Sequence, residues 1–226
     1  MDHSESISNT LSRELPEEEF SLVRASLEDA ASRKPDSISN EEIRKGDRIL
    51  ETYTVLGDAI HGGMGSVWRV RHESWNTDLA MKRPQPRFFA EGSEKRKEEF
   101  IRECENWINL GLHPNIVSCF YVREIGGVPA IFSEWMEGGS LKDCIRDGSL
   151  YRGTEAEAAE RILDIAIQAA RGLQYSHECG LVHQDMKPGN LLLNGNREAK
   201  VADFGLAKAQ GKLTENSRPV SSGYTV

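Results

Sequence analysis

His183-Gln184-Asp185-Met186-Lys187-Pro188-Gly189-Asn190 sets an acid, a cation and an amide within one short stretch, and Asp203-Phe204-Gly205 begins thirteen residues after it. The first cluster lies between a long helical pattern, Glu155 to Glu178, and an apolar strand, Leu191-Leu192-Leu193. The second closes the next strand, Ala199-Lys200-Val201. Two carboxylates, an amide and a lysine on adjacent loops are the parts of a Mg²⁺–phosphate site. They offer hard oxygen ligands, a positioned proton acceptor and a cation. A chance polar loop is a poor account of them, because both clusters also carry their turn residues in place.

Upstream of these loops the chain reads as strands. Tyr53 to Leu56 and Ser66 to Val70 flank Gly62-Gly63-Met64-Gly65, and Leu79 to Lys82 is a third strand stopped by Pro84 and Pro86. Glycines let a backbone approach phosphates closely and expose its N–H groups, although a glycine-rich hairpin is as often a plain turn. These glycines lead into a strand instead of opening a helix, which disfavours a dinucleotide-binding fingerprint. Residues 94–110 are helical in pattern, with Phe100, Cys104, Trp107 and Ile108 on one face. Glu103 is in register with that face and points toward the sheet, where Lys82 ends its strand; Glu105 lies on a poorer face. Ile116 to Tyr121 and Val128 to Phe132 are two further strands, joined by Gly126-Gly127, and after Gly138-Gly139 the pattern turns helical. Five strands and a helix, then helices with a small hairpin, make a two-lobed α+β arrangement.

Composition narrows the function classes. The 226 residues carry 28 Lys+Arg against 36 Asp+Glu, net −8. That balance argues against a protein that lives on nucleic acid or anionic lipid. No apolar run reaches the ~18–20 residues that span a bilayer, and the opening MDHSESISNTLS lacks the apolar core of a signal peptide. Cys104, Cys119, Cys144 and Cys179 form no CxxC and read as idle thiols of a reducing compartment. A cytoplasmic protein is expected, or one at the cytoplasmic face of a membrane if a span follows. Residues 1–50 hold 12 acidic and 7 basic side chains and read as a polar, largely disordered extension. Within it, Pro16 and the acids behind it start a short helix near 17–31.

These motifs together resemble the eukaryotic-type protein kinases, including their bacterial members, over residues 53–226 and in the family's order. The resemblance implies a complete β-rich small lobe with its helix C (about 53–134), a hinge at 134–139 and a partial helical large lobe from 140. It also implies ATP and Mg²⁺ as cofactors and a protein hydroxyl as acceptor. Ile60, Gly62, Gly63, Gly65 and Val67 would cover the nucleotide. Ala80 and Lys82 would form the strand that holds its α/β-phosphates, with Glu103 as the ion-pair partner of Lys82. The backbone of Glu134 and Met136 would bond adenine, with Ser133 as a small gatekeeper. Asp185 would accept the hydroxyl proton, Lys187 would neutralise the γ-phosphate, and Asn190 and Asp203 would hold the metal. Lys187, followed by Pro188, resembles the serine/threonine branch.

Three departures from the pattern stand out. Ile60 replaces the first loop glycine, which predicts weaker ATP binding but not its loss. Gln184 replaces the arginine before the catalytic aspartate, so activity is expected not to depend on a phosphorylated loop held at that site. The chain ends at Val226, inside the activation segment. That ending reads as a fragment of a longer kinase, inactive alone and with part of the 155–178 helix uncovered. The alternatives are a pseudokinase or nucleotide-binding signalling scaffold and, less favoured, a small-molecule kinase.

Overall fold

The computed structural model describes residues 43–62, 65–85, 89 and 94–204. The helix expected near 17–31, Gly63, Gly205 and the hydroxyl-rich stretch from Thr214 onward lie outside the described residues.

Nine strands and three helices are described. They are β1 Arg48–Ile49, β2 Tyr53–Val55, β3 Ile60–Gly62, β4 Gly65–His72, β5 Thr77–Pro84, α1 Glu94–Ile108, β6 Cys119–Ile125, β7 Val128–Glu134, α2 Leu141–Arg146, α3 Glu155–Glu178, β8 Leu191–Leu193 and β9 Ala199–Val201. The first seven strands form one antiparallel sheet in the order β1-β2-β4-β5-β7-β6, with β3 paired to β4. Alternation along β4 and β5 assigns the faces: Trp68, Val70, Leu79 and Met81 point into one core with Tyr53, Tyr121 and Phe132. Val67, Ala80 and Lys82 point the other way. Two strands beyond the expected five appear, β1 and β3, because neither carries an apolar alternation. Ordered structure also begins upstream of Tyr53. Ile43 is buried in the same core, and its carbonyl accepts a hydrogen bond from Trp68 Nε1 at 3.2 Å.

Helix α1 packs its Phe100–Cys104–Trp107 face into a second core with Cys119 and Ile131. Trp107 Nε1 donates to the Val117 carbonyl at 2.9 Å, and Lys97 pairs with Glu124 of β6. Residues 115–118 then run as a strap between the lobes. Val201 N–H donates to Asn115 O and Val117 N–H to Val201 O, both at 2.9 Å, while the Asn115 amide donates to Ala199 O at 3.0 Å.

The large-lobe helices start on reciprocal caps, Ser140 with Asp143 and Thr154 with Glu157. Helix α3 buries Ile165, Ala169, Gly172 and Ser176. Gly172 is required by contact: a Cβ there would meet Asn115 O at 2.3 Å, so the helix lies directly on the strap. Ile162, Leu163 and Ile167 of the same helix are exposed. The arrangement is two-lobed α+β, as the sequence implies. No helix among the described residues is long and apolar enough to cross a membrane.

Candidate active site

The site lies where the second face of the sheet meets the loops of the β8–β9 hairpin. From above, Val67 of β4 stands opposite Lys82 of β5, and Ile60 of β3 stands opposite Val67. Gly65, at the turn, has φ +148°, and a Cβ there would meet Arg83 O at 2.2 Å. The β3–β4 turn therefore lies against β5 with no room for a side chain at that position.

Lys82 reaches down to Asp203, Nζ to Oδ2 at 2.6 Å, with the two side chains 16% and 22% exposed. Asp203 adopts φ +66°, a left-handed conformation that costs a non-glycine residue about 1–3 kcal/mol. The surroundings hold it there. Ala202 N–H donates to Asn190 O at 2.9 Å, and the Ala202 carbonyl receives His183 Nε2 at 2.8 Å. His183 Nδ1 accepts the Asp185 N–H at 3.3 Å, so the ring carries its proton on Nε2. The imidazole, packed 4.8 Å from the Phe204 ring, thus links the two acidic loops.

Asp185 is clasped on one oxygen. Its Oδ2 accepts from Lys187 Nζ at 2.5 Å and from Asn190 Nδ2 at 3.1 Å, and Asn190 Nδ2 also donates to the Asp185 carbonyl at 2.9 Å. Asp185 Oδ1, Asn190 Oδ1 and Asp203 Oδ1 accept no hydrogen bond among the described residues. The sequence grouping of Lys82, Asp185, Lys187, Asn190 and Asp203 is thus an arrangement in space. Glu103 is different. It is half-buried on α1, but Lys82 is paired with Asp203, and no hydrogen bond or ion pair joins Glu103 to Lys82. Helix periodicity put Glu103 on a partly buried side of α1, but it does not fix how far α1 stands from β5.

At the back, Ala80, Ser133 and Cys119 stand opposite one another across β5, β7 and β6, a row of three small side chains. Burial pushes the thiols of Cys104 and Cys119 up, so both stay protonated in this wall. Among the described residues the Met136 N–H has no acceptor, while Met136 O accepts from Gly139 N–H at 3.3 Å. Of the two hinge residues named from the sequence, Glu134 already gives its N–H to Ser118 O at 3.0 Å, whereas Met136 N–H is left as a donor among the described residues.

Two features were not read from the sequence. The Glu134 carboxylate accepts Ser118 N–H at 2.8 Å and Lys200 Nζ at 2.9 and 2.8 Å, tying the hinge to β9. Its signal was a lone cation between the buried Ala199 and Val201. Leu192 stands opposite Lys200, on the face of the hairpin that reaches the hinge, and is half-buried between fully buried neighbours.

Asn190 and Asp203 offer hard oxygens, and no group of three or more His, Cys, Asp or Glu side chains suited to a metal occurs among the described residues. Such a set suits Mg²⁺, which keeps waters and phosphate oxygens in its shell, rather than an all-protein metal cage.

The model of the protein kinase domain matches residues 51–225. The serine/threonine-protein kinase drp72 of Corynebacterium efficiens is 34% identical over 184 residues, covering 77% of this chain and 33% of that protein. PknA of Corynebacterium glutamicum is 32% identical over 183 residues, covering 76% and 37%. The crystal structure of the Mycobacterium tuberculosis PknI kinase domain superposes with a TM-score of 0.59 at 26% identity, over 73% of this chain and 63% of that one. The chain spans roughly a quarter to a third of the length of the first curated relatives.

Proposed function

Because the chain belongs to the protein kinase family, we propose that it transfers the γ-phosphate of ATP to serine or threonine hydroxyls of proteins. The family generally uses ATP and Mg²⁺. The observation that carries the reading is the Asp185 carboxylate, held by Lys187 and Asn190 on one oxygen and open on the other, beside a Lys82–Asp203 pair that joins the lobes.

Each residue then has a role. When bound, Mg·ATP supplies the transferable phosphoryl group and offsets much of its charge. Lys82 fixes the phosphates from above. Asn190 and Asp203 present oxygens to the metal. Asn190 also fixes Asp185 through its amide, so that Oδ1 faces the acceptor hydroxyl and takes its proton as the hydroxyl oxygen attacks. Lys187 lies within reach of the charge that develops on the transferred group. The open Met136 N–H and the small Ser133 bind the base edge. Lys187 next to Pro188 supports serine/threonine over tyrosine specificity, and phosphotyrosine as the main product would reject that choice. The four free cysteines fit a reducing, cytoplasmic compartment.

The test is incorporation of the γ-phosphate into a generic protein substrate. Asp185→Asn is expected to lower transfer by about 10²–10⁴-fold without weakening Mg·ATP binding. Equal incorporation by both proteins would remove Asp185 from its role. Nucleotide binding by the wild type with no transfer would favour the scaffold reading, which the isoleucine at position 60 also supports.

A further inference from the structure

Strand β3 is short, and its three residues, Ile60, His61 and Gly62, are all exposed. Its register is unambiguous: Ile60 lies opposite Val67, and Val67 opposite Lys82. Directly opposed residues of antiparallel strands project to the same face. Lys82 reaches Asp203 across the cleft, so the row Ile60–Val67–Lys82 faces the cleft as a unit. Ile60 nevertheless leaves 61% of its surface open. That exposure leaves apolar surface on Ile60 which a ligand in the cleft can cover.

The position of the row identifies that contact. Toward the hinge lies the row Ala80–Ser133, with the Met136 N–H, which has no acceptor among the described residues, just beyond; toward the turn lie Gly62, Gly65 and Pro84. A ligand that meets the hinge donor at one end and Lys82 with its anionic end passes beneath Ile60 between them. Leu192 stands opposite Lys200, and so shares the side of the hairpin where Lys200 meets Glu134. In this placement Ile60 and Val67 would form the roof and Leu192 the floor. Isoleucine where the glycine-rich pattern has glycine also changes the backbone. A β-branched residue stiffens the strand and keeps the main chain from approaching a ligand as closely as glycine allows.

We propose that Ile60 is a specificity-determining residue which closes on the ring face of the nucleotide, so that the adenosine moiety supplies a larger share of the affinity and the glycine turn a smaller one. This rests on the nucleotide-site reading above and makes the residue a gain in ring contact, where the bare motif comparison predicts a loss of affinity.

The test compares the wild type with Ile60→Gly and Ile60→Val, by calorimetry with adenosine, Mg·ATP and Mg²⁺ with inorganic tripolyphosphate. Ile60→Gly is expected to weaken adenosine and Mg·ATP about five- to tenfold, from lost apolar contact, and to leave tripolyphosphate within a factor of two. Ile60→Val, which keeps the β-branch, should lose less. Because Ile60 is exposed, both variants should melt with the wild type, which separates ring contact from misfolding. Unchanged or tighter adenosine binding by Ile60→Gly overturns the proposal, as does an equal loss for tripolyphosphate. If the wild type binds neither adenosine nor Mg·ATP, the nucleotide-site reading falls and this inference with it.

Discussion

Two lysine–carboxylate pairs join the lobes, and they are nearly equal in burial: Lys82–Asp203 at 16% and 22% exposed, Lys200–Glu134 at 16% and 24%. Their hydrogen-bond surroundings differ. Glu134 receives Lys200 on both oxygens and Ser118 N–H as well, and its own N–H returns to Ser118 O at 3.0 Å. Among the described residues Asp203 receives Lys82 on one oxygen and nothing on the other, from a backbone held in a left-handed conformation. One carboxylate is saturated by its own protein, whereas the other still has acceptor capacity for a ligand. Neither charge nor exposure separates a fixed bolt from a working contact; the count of remaining acceptor sites does.

The largest test of this contrast is on the working pair. Lys82→Ala should cut phosphoryl transfer by about 10²–10³-fold while the melting temperature moves little, because Asp203 can be rehydrated at the cleft. A large loss of stability in that variant would make Lys82–Asp203 a second bolt. Lys200→Met should do the reverse. It leaves Glu134 with only its Ser118 bond in a half-buried place, a cost of about 1–3 kcal/mol in urea unfolding, with nucleotide affinity held within a few fold. Glu134→Gln keeps an acceptor for Ser118 and should cost less, about 1 kcal/mol.

The smallest effect is expected outside both pairs and controls for them. His72 is buried, stacked on Trp75 at 4.1 Å and edge-on to Tyr53, and its Nε2 has no hydrogen-bond partner among the described residues. Burial first, and then the Arg123 charge, hold its pKa below the ordinary 6.5; Glu73 opposes them. Above that value the imidazole is neutral in both states and nothing is lost. As pH falls through 6.5 the unfolded chain takes up the proton first, so stability declines until the folded pKa is passed and then levels off. The urea midpoint should therefore fall more between pH 7 and pH 5 in the wild type than in His72→Phe. Parallel slopes would acquit His72 and return attention to the carboxylates.

Much of this was legible in the residues. Alternation gave the long strands, and the spacing of Phe100, Cys104 and Trp107 gave the buried face of α1. The span 155–178 and the loop 183–190 appear where the pattern put them. Local spacing fixes which side a residue faces, and so it brought Asp185, Lys187 and Asn190 together. It does not fix distances between elements. The Glu134–Lys200 tie spans 66 residues of chain and needs two separately folded pieces to meet. Glu103 is half-buried, but its separation from Lys82 is set by the packing of the whole helix. The strands β1 and β3 left no trace: β1 is two residues long with only Ile49 buried, and β3 is exposed throughout and held by its pairing with β4.

The strap at residues 115–118 has a mechanical consequence. It is bonded to β9 behind, to Trp107 of α1 and to Glu134 beside it, and Gly172 lets α3 lie flush against it. A fulcrum so placed lies at the rear of the molecule. Rocking one half against the other leaves that end nearly still and moves the glycine-bearing hairpin at the front through the widest arc, so leverage concentrates travel where cargo enters and leaves.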